Sequence, residues 1–107
     1  MDEQTLLGPI QNSMQYEKVI GFLNSVKEEG GRFLCGGEAS PGKGYFIPVS
    51  IATDLDDNAQ LVREEPFGPV LPLLKFTEVD DVVRRANDSP YGLGASVWSK
   101  NCFLLYT

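Results

Sequence analysis

Eleven glycines and seven prolines, many of them clustered, break these 107 residues into short segments, and this punctuation limits the fold more than any other feature. Leu7-Gly8-Pro9 cannot lie inside a helix, and Gly30-Gly31 stops one. Gly36-Gly37 through Gly42-Lys43-Gly44 reads as a surface loop, and Asn87-Asp88-Ser89-Pro90 ends a later element. Between the first two breaks lies the clearest periodic window. Asn12 followed by Gln15 is a capping-box pattern, and Tyr16, Val19, Ile20, Leu23 and Val26 keep the 3.6-residue spacing of a helix over about 13–29 with one buried face. The acids Glu28 and Glu29 in its last turn oppose the helix dipole.

Three strands are expected next: a buried one at Arg32–Gly36, a second over Tyr45–Thr53 interrupted by Pro48, and a third over Val70–Phe76 despite Pro72. Leu61–Pro69 is less regular. Thr77 should cap a second helix whose Val79, Val82, Val83 and Ala86 form a buried stripe, and Gly94–Ser99 supplies a last strand. The order predicts an α/β fold, a single-layer, mostly parallel sheet with flanking helices, as one domain or a piece of one over residues 1–107.

Composition excludes several functions. Fifteen acids against nine Lys and Arg give a net charge of −6, which argues against binding a nucleic-acid backbone. With no histidine, His-based triads and His-type zinc sites are excluded, and Cys35 and Cys102 form no C-x-x-C pair. No apolar run approaches a membrane span and no signal-like start is visible, so a soluble chain of the reducing cytoplasm, with no membrane partner, is the expectation.

Candidate chemistry is sparse. Gly37-x-x-x-x-Gly42-Lys43 imitates a phosphate loop, but Gly44 stands where Ser or Thr should reach magnesium and a strand follows in place of a helix, so an ordinary glycine-rich turn is the reading. Cys35 has no neighbouring activator in sequence and reads as a buried structural thiol. Asp80-Asp81 fit a helix start. Glu64-Glu65 precede Pro66-Phe67-Gly68-Pro69, a stretch of restricted backbone that either holds a carboxylate and a ring ready for a polar, planar ligand or forms a rigid turn over a core Phe.

Glu64-Glu65-Pro66-Phe67-Gly68-Pro69-Val70 resembles the E-E-x-F-G-P-V signature of NAD(P)-dependent aldehyde dehydrogenases. Six further blocks resemble that family in the same order: Leu7–Ile10, Met14–Val19, Leu34–Gly37, Gly44–Ile47, Asn87–Ser89 and Tyr91–Ser99. Together they cover about residues 6–101, downstream of the family's catalytic cysteine. The resemblance implies that Glu65 holds the nicotinamide-ribose hydroxyls of NAD or NADP, that Phe67 packs beside the nicotinamide, and that Gln15 and Lys18 face the cofactor riboses.

No counterpart of the family's G-Q-x-C nucleophile segment or E-L-G-G base segment is present, and Cys35 lies in the L-C-G-G strand instead. Pro48-Val49-Ser50 replaces the usual x-Pro-Thr, which predicts a bend, and residues 102–107 depart from the family altogether. The resemblance therefore implies a truncated aldehyde dehydrogenase-like chain with no catalytic residue set of its own and weak or absent cofactor binding. The alternative is a non-catalytic interaction protein that pairs with its own copies, as a homo-oligomer, or with a full-length aldehyde dehydrogenase subunit.

Overall fold

In a computed structural model, which describes residues 3–40 and 42–100, the elements run α1 (Ser13–Glu28), β1 (Arg32–Cys35), β2 (Ser50–Thr53), α2 (Gln60–Arg63), β3 (Val70–Leu73) and α3 (Val79–Asn87). They fall into two compact units, Met1–Phe76, which holds the sheet, and Thr77–Thr107, which holds α3.

Helix α1 opens as the Asn12/Gln15 spacing predicts. Asn12 is extended, and its side-chain oxygen accepts the Gln15 backbone N–H at 2.9 Å. Only that half of the capping box forms, because the Gln15 side chain is engaged elsewhere. At the other end Gly30, at φ 80°, donates to the Lys27 carbonyl and Gly31 to the Val26 carbonyl, at 3.3 and 2.8 Å, the paired bonds of a Schellman stop. The buried face is Val19, Phe22, Leu23 and Val26, with Tyr16 and Ile20 half-buried beside it. These side chains form one core with Ala52 of β2, Leu61 of α2 and Val70 of β3. At about 1.5–3 kcal/mol for each large side chain removed from water, this face is what holds α1 in place.

Strand β2 is central, paired antiparallel with β1 and parallel with β3. The expected α/β class holds, and the sheet is mixed, with one pairing of each kind. The connections explain this: β1 reaches β2 through a loop without a helix, whereas β2 reaches β3 by a crossover that contains α2. The expectation that β1 is buried is corrected. It is an edge strand with Arg32, Leu34 and Cys35 exposed, and Leu34 is an extra, bulged residue between the pairs Phe33↔Ala52 and Cys35↔Ile51. Cys35 is accordingly an exposed thiol, not a buried one.

The second strand is shorter than expected and begins only at Ser50, because Pro48 cannot donate to a ladder. Residues ahead of it are tied differently: the Tyr45 carbonyl accepts the Ile10 N–H at 2.7 Å, and the Tyr45 ring lies 5.6 Å from that of Tyr16. The third strand ends at Leu73, and its Pro72 is tolerated because β3 is the other edge.

Past β2, Asp54 sits at φ 60°, and its carboxylate accepts from Arg32 Nε at 2.5 Å and lies 3.6 Å from Lys75 Nζ, joining all three strands at one end of the sheet. The hydrogen bond from Arg32 is the main reason its carboxyl titrates below the ordinary range.

Helix α2 was not expected from the sequence. Its approach is an Asx turn in which Asp56 Oδ1 accepts the Asn58 N–H at 2.9 Å, and its first N–H, on Gln60, is met at 3.1 and 3.2 Å by both carboxylate oxygens of Glu29. The acid that opposes the dipole at the end of α1 thus caps the start of α2.

In the second unit α3 begins after Glu78 and not after Thr77: Glu78 is extended and its carbonyl takes the first helical bond, from Val82 at 3.1 Å, with no side-chain cap. Asp81 pairs with Arg84 at 2.6 Å and Arg85 at 3.6 Å. The predicted stripe is present but not buried. Val79 and Val82 are half-buried and Val83 is exposed, since the described residues of this unit provide no second layer to cover them. The strand expected at Gly94–Ser99 does not form, there being no strand among the described residues of that unit for it to pair with. The divergent tail at 102–107, with Cys102, lies outside the described residues.

Candidate functional site

The restricted stretch 64–69 links α2 to β3 and is fixed at both ends. Glu64 closes α2 in extended conformation, and at the far side the Pro69 carbonyl accepts the Ser50 N–H at 2.8 Å while Val70 N–H turns back to the Gly68 carbonyl at 2.8 Å. Pro66 and Pro69 also keep the residues before them, Glu65 and Gly68, out of helical conformation. Between these constraints Phe67 sits at φ 47°, a left-handed conformation that costs a residue with a large side chain about 1–2 kcal/mol.

Two contacts with α1 sustain that turn. Gln15 Nε2 donates to the Pro66 carbonyl at 2.8 Å and to the Phe67 carbonyl at 3.0 Å. Gly68 packs so closely on the helix that a Cβ there would stand 2.5 Å from Val19 Cγ2. Lys18, one turn along α1 from Gln15, places Nζ 6.0 Å from the centroid of the Phe67 ring and 5.8 Å from that of Phe22, within reach of a cation–π contact.

Phe67 is 74% exposed, which rules out the rigid turn over a core Phe. Its ring borders an open groove of about 480 Å³, walled on one side by Gln15, Gly68 and Pro69 and on the other by the Leu7–Gln11 segment. The Leu7-Gly8-Pro9 turn, legible in the sequence only as a break, is therefore a wall of the groove. Glu65 is exposed and makes no hydrogen bond or ion pair among the described residues.

The four residues singled out from the sequence stand as follows. Gln15, Lys18 and Phe67 come together, and Glu65 joins them through the chain, two residues from Phe67. The Gln15 amide nitrogen uses both hydrogens inside the protein, leaving its Oε1 as the side chain's acceptor. Sequence reading missed Glu29, whose tertiary cap has no local signal, and Ser50, fully buried, whose hydroxyl accepts the Gly37 N–H at 2.9 Å and donates to the Pro48 carbonyl at 3.0 Å.

An exposed ring, a carboxylate with unused acceptors and a nearby ammonium suit a planar group carrying adjacent hydroxyls. Cys35 is on β1, in another part of the sheet. Among the described residues no group of three or more His, Cys, Asp or Glu is placed to hold a metal ion, and no helix is long and apolar enough to cross a membrane.

Comparison with known proteins gives one result throughout. Residues 1–105 match the model of the aldehyde dehydrogenase family. Mitochondrial aldehyde dehydrogenase of Equus caballus is 46% identical over 100 residues, covering 94% of this chain and 20% of that protein. Human retinaldehyde dehydrogenase 3 is 41% identical over the same share of the chain and 20% of its own length. Among solved structures, lactaldehyde dehydrogenase from Escherichia coli matches with a TM-score of 0.91 at 35% identity, over 97% of this chain and 22% of that one. The NAD+ complex of an aldehyde dehydrogenase from Bacillus cereus matches with a TM-score of 0.87 at 39% identity, over 96% and 21%. The chain thus spans about a fifth of the length of the relatives it matches.

Proposed function

Since the chain belongs to the aldehyde dehydrogenase family, we propose that residues 64–70, with Gln15 and Lys18 of α1, form the side of an NAD(P) site that meets the nicotinamide and its ribose. The observation that carries this is the exposed Phe67 ring, held in a left-handed turn two residues from an uncommitted Glu65 carboxylate, on the stretch that resembles the family signature. In this reading the Glu65 oxygens accept the two ribose hydroxyls and Phe67 gives the nicotinamide an apolar face. Lys18 places positive charge 6.0 Å from the centroid of the Phe67 ring. Bound there, NAD+ or NADP+ supplies the hydride acceptor for oxidation of an aldehyde to a carboxylic acid.

Residues 6–101 are read as one partial catalytic domain, and we expect these 107 residues alone not to oxidise aldehydes. They contain no G-Q-x-C or E-L-G-G segment, so no thiolate is positioned to attack an aldehyde carbonyl and no carboxylate to activate water. Cofactor affinity should be weak, because one ribose contact and one ring are a small part of a dinucleotide site and each 1.4 kcal/mol forgone costs about tenfold. Calorimetry with NAD+ tests this, together with an absorbance assay for NADH or NADPH over a panel of aldehydes. Turnover by the purified chain, or micromolar binding, contradicts the reading; weak binding abolished in Glu65→Gln locates it at the proposed site.

A second reading, association with another copy or with a longer aldehyde dehydrogenase, is favoured by the apolar surface of β3, where Leu71 and Leu73 are 58% and 48% exposed on an edge strand. Light scattering over a concentration series tests it, and a monodisperse monomer at high micromolar concentration rejects self-association. The cytoplasmic location rests on two cysteines without a disulfide pattern. Recovery of a tagged chain in mitochondria would displace it.

A further inference from the structure

We propose that Gln15 is a positioning residue for the Glu65–Phe67 turn, acting through the Pro66 and Phe67 carbonyls; this rests on the reading of residues 64–70 as part of a nucleotide site. Three observations converge on it. Phe67 is one of two non-glycine residues at positive φ among the described residues, and a left-handed Phe persists only where its surroundings hold it. The side-chain hydrogen bonds that reach its peptide planes come from one atom, Gln15 Nε2, which satisfies the carbonyl before Phe67 and the carbonyl of Phe67 itself at 2.8 and 3.0 Å. Gln15 belongs to the first turn of a helix whose own start is fixed by Asn12 and whose next turn carries the fully buried Val19, so the donor rests on a rigid base.

The geometry has a direct consequence for the ligand groups. Bonds to two successive carbonyls fix the orientation of two successive peptide planes, and the Phe67 side chain leaves the backbone between them. Glu65 is tied to the same planes through Pro66, whose ring restricts its own φ and the conformation of the residue before it. Rotating Phe67 to negative φ would swing the ring away from Lys18 and from the groove while leaving α1, the sheet and the core untouched. The residue therefore controls the aim of the site and not the existence of the fold. Glu29, at the other end of α1, anchors the start of α2, so the whole segment from Gln60 to Phe67 is strung between two polar side chains of a single helix.

Nuclear magnetic resonance on the full chain tests the assignment. A left-handed residue brings its own amide and α protons closer together than any residue at negative φ, so Phe67 should give a strong intraresidue cross-peak. In Gln15→Met, which keeps the length of the side chain and removes the donor, that cross-peak should weaken to the level of its neighbours while the far-UV circular dichroism stays the same. Gln15→Glu should lose it at neutral pH and regain part of it on acidification, when a protonated carboxyl donates one bond; the Met variant should show no such recovery. A merely stabilising glutamine would lower the unfolding midpoint in both variants without moving the Phe67 signal. Persistence of the strong cross-peak in Gln15→Met overturns the proposal. Millimolar NAD+ and NADP+ added to the parent chain test the nucleotide reading separately: no shift at Glu65, Phe67 or Lys18, with the turn still dependent on Gln15, would reject that reading and leave the positioning role standing.

Discussion

Replacing Gly68 by alanine should destabilise the protein through one contact that can be relieved on purpose. Gly68 is outside the left-handed region, so its backbone accepts alanine, and the penalty is steric: the new methyl would stand 2.5 Å from Val19 Cγ2, where carbon atoms prefer about 3.5–4 Å. About 1 Å of movement is required. Val19 is fully buried and, as a β-branched residue in a helix, has essentially one rotamer, so moving it means overpacking the core at a cost of about 1–3 kcal/mol.

Moving the loop instead strains the two Gln15 hydrogen bonds, worth about 0.5–1.5 kcal/mol each. Both routes lead to about 2 kcal/mol. Val19→Ala alone removes two buried methyls and leaves a cavity, again about 2–3 kcal/mol. In the double variant the methyl introduced by Gly68→Ala enters the space the valine vacates, so the loss should fall short of the sum by about 2 kcal/mol. Urea unfolding followed by circular dichroism, with unchanged m-values, measures all four corners of the cycle. Losses that add to within about 0.5 kcal/mol would refute the claim that these residues meet.

Three further outcomes follow from the polar contacts and close approaches. Asp54 titrates below the ordinary carboxylate value of 3.8, so its bond to Arg32 stabilises the folded chain fully above that value and is lost as pH falls through the lower folded value; the gap in urea midpoint between the parent and Asp54→Asn should be constant near about pH 6 and close on acidification, whereas a gap that widens reverses the sign. Glu29→Ala should cost about 1 kcal/mol and expose the Gln60 amide to faster hydrogen exchange than the amides of α1, and unchanged protection there would mean that the carboxylate does not cap α2. Gly36→Ala should be severely disruptive, because φ is 66° and the added Cβ would collide with Ser50 Oγ and stand 2.5 Å from the Val49 carbonyl; a thermal midpoint within a few degrees of the parent would contradict it.

How much of the fold could be read ahead follows from the range of the forces involved. Helix α1 was legible because its signals are local and agree: an Asn cap, an apolar period and a glycine stop all lie within about twenty residues of one another. Three of the four expected strands are present, shorter or more exposed than expected, and the fourth, at Gly94–Ser99, does not form. Whether Leu34 and Cys35 are covered depends on β1 being the edge of a three-stranded sheet, a fact about pairing partners that four residues of sequence do not contain. The same holds for α3. Its stripe at Val79, Val82, Val83 and Ala86 is a true helical period, and period reports which side chains share a face, not that another layer lies against it.

The site divides along the same line. Glu65 and Phe67 stand out in the sequence because a Pro/Gly frame around a carboxylate and a ring is visible as a motif, while Gln15 and Lys18 are singled out by resemblance and by their i, i+3 spacing. What no spacing shows is that Gln15 reaches a loop fifty-one residues away, or that Glu29 caps a helix thirty-one residues on. Both are polar groups at the termini of α1, where backbone and side-chain hydrogen-bonding capacity is left over once the helix has satisfied itself. That surplus is what fixes the α2-to-β3 connection, and it accounts for a segment with two prolines and no regular structure over 65–69 that nevertheless holds one defined, left-handed turn. The core sets the distance of α1 from the sheet through Val19 and Gly68, and the two ends of α1 then set the shape of the loop that carries Glu65 and Phe67.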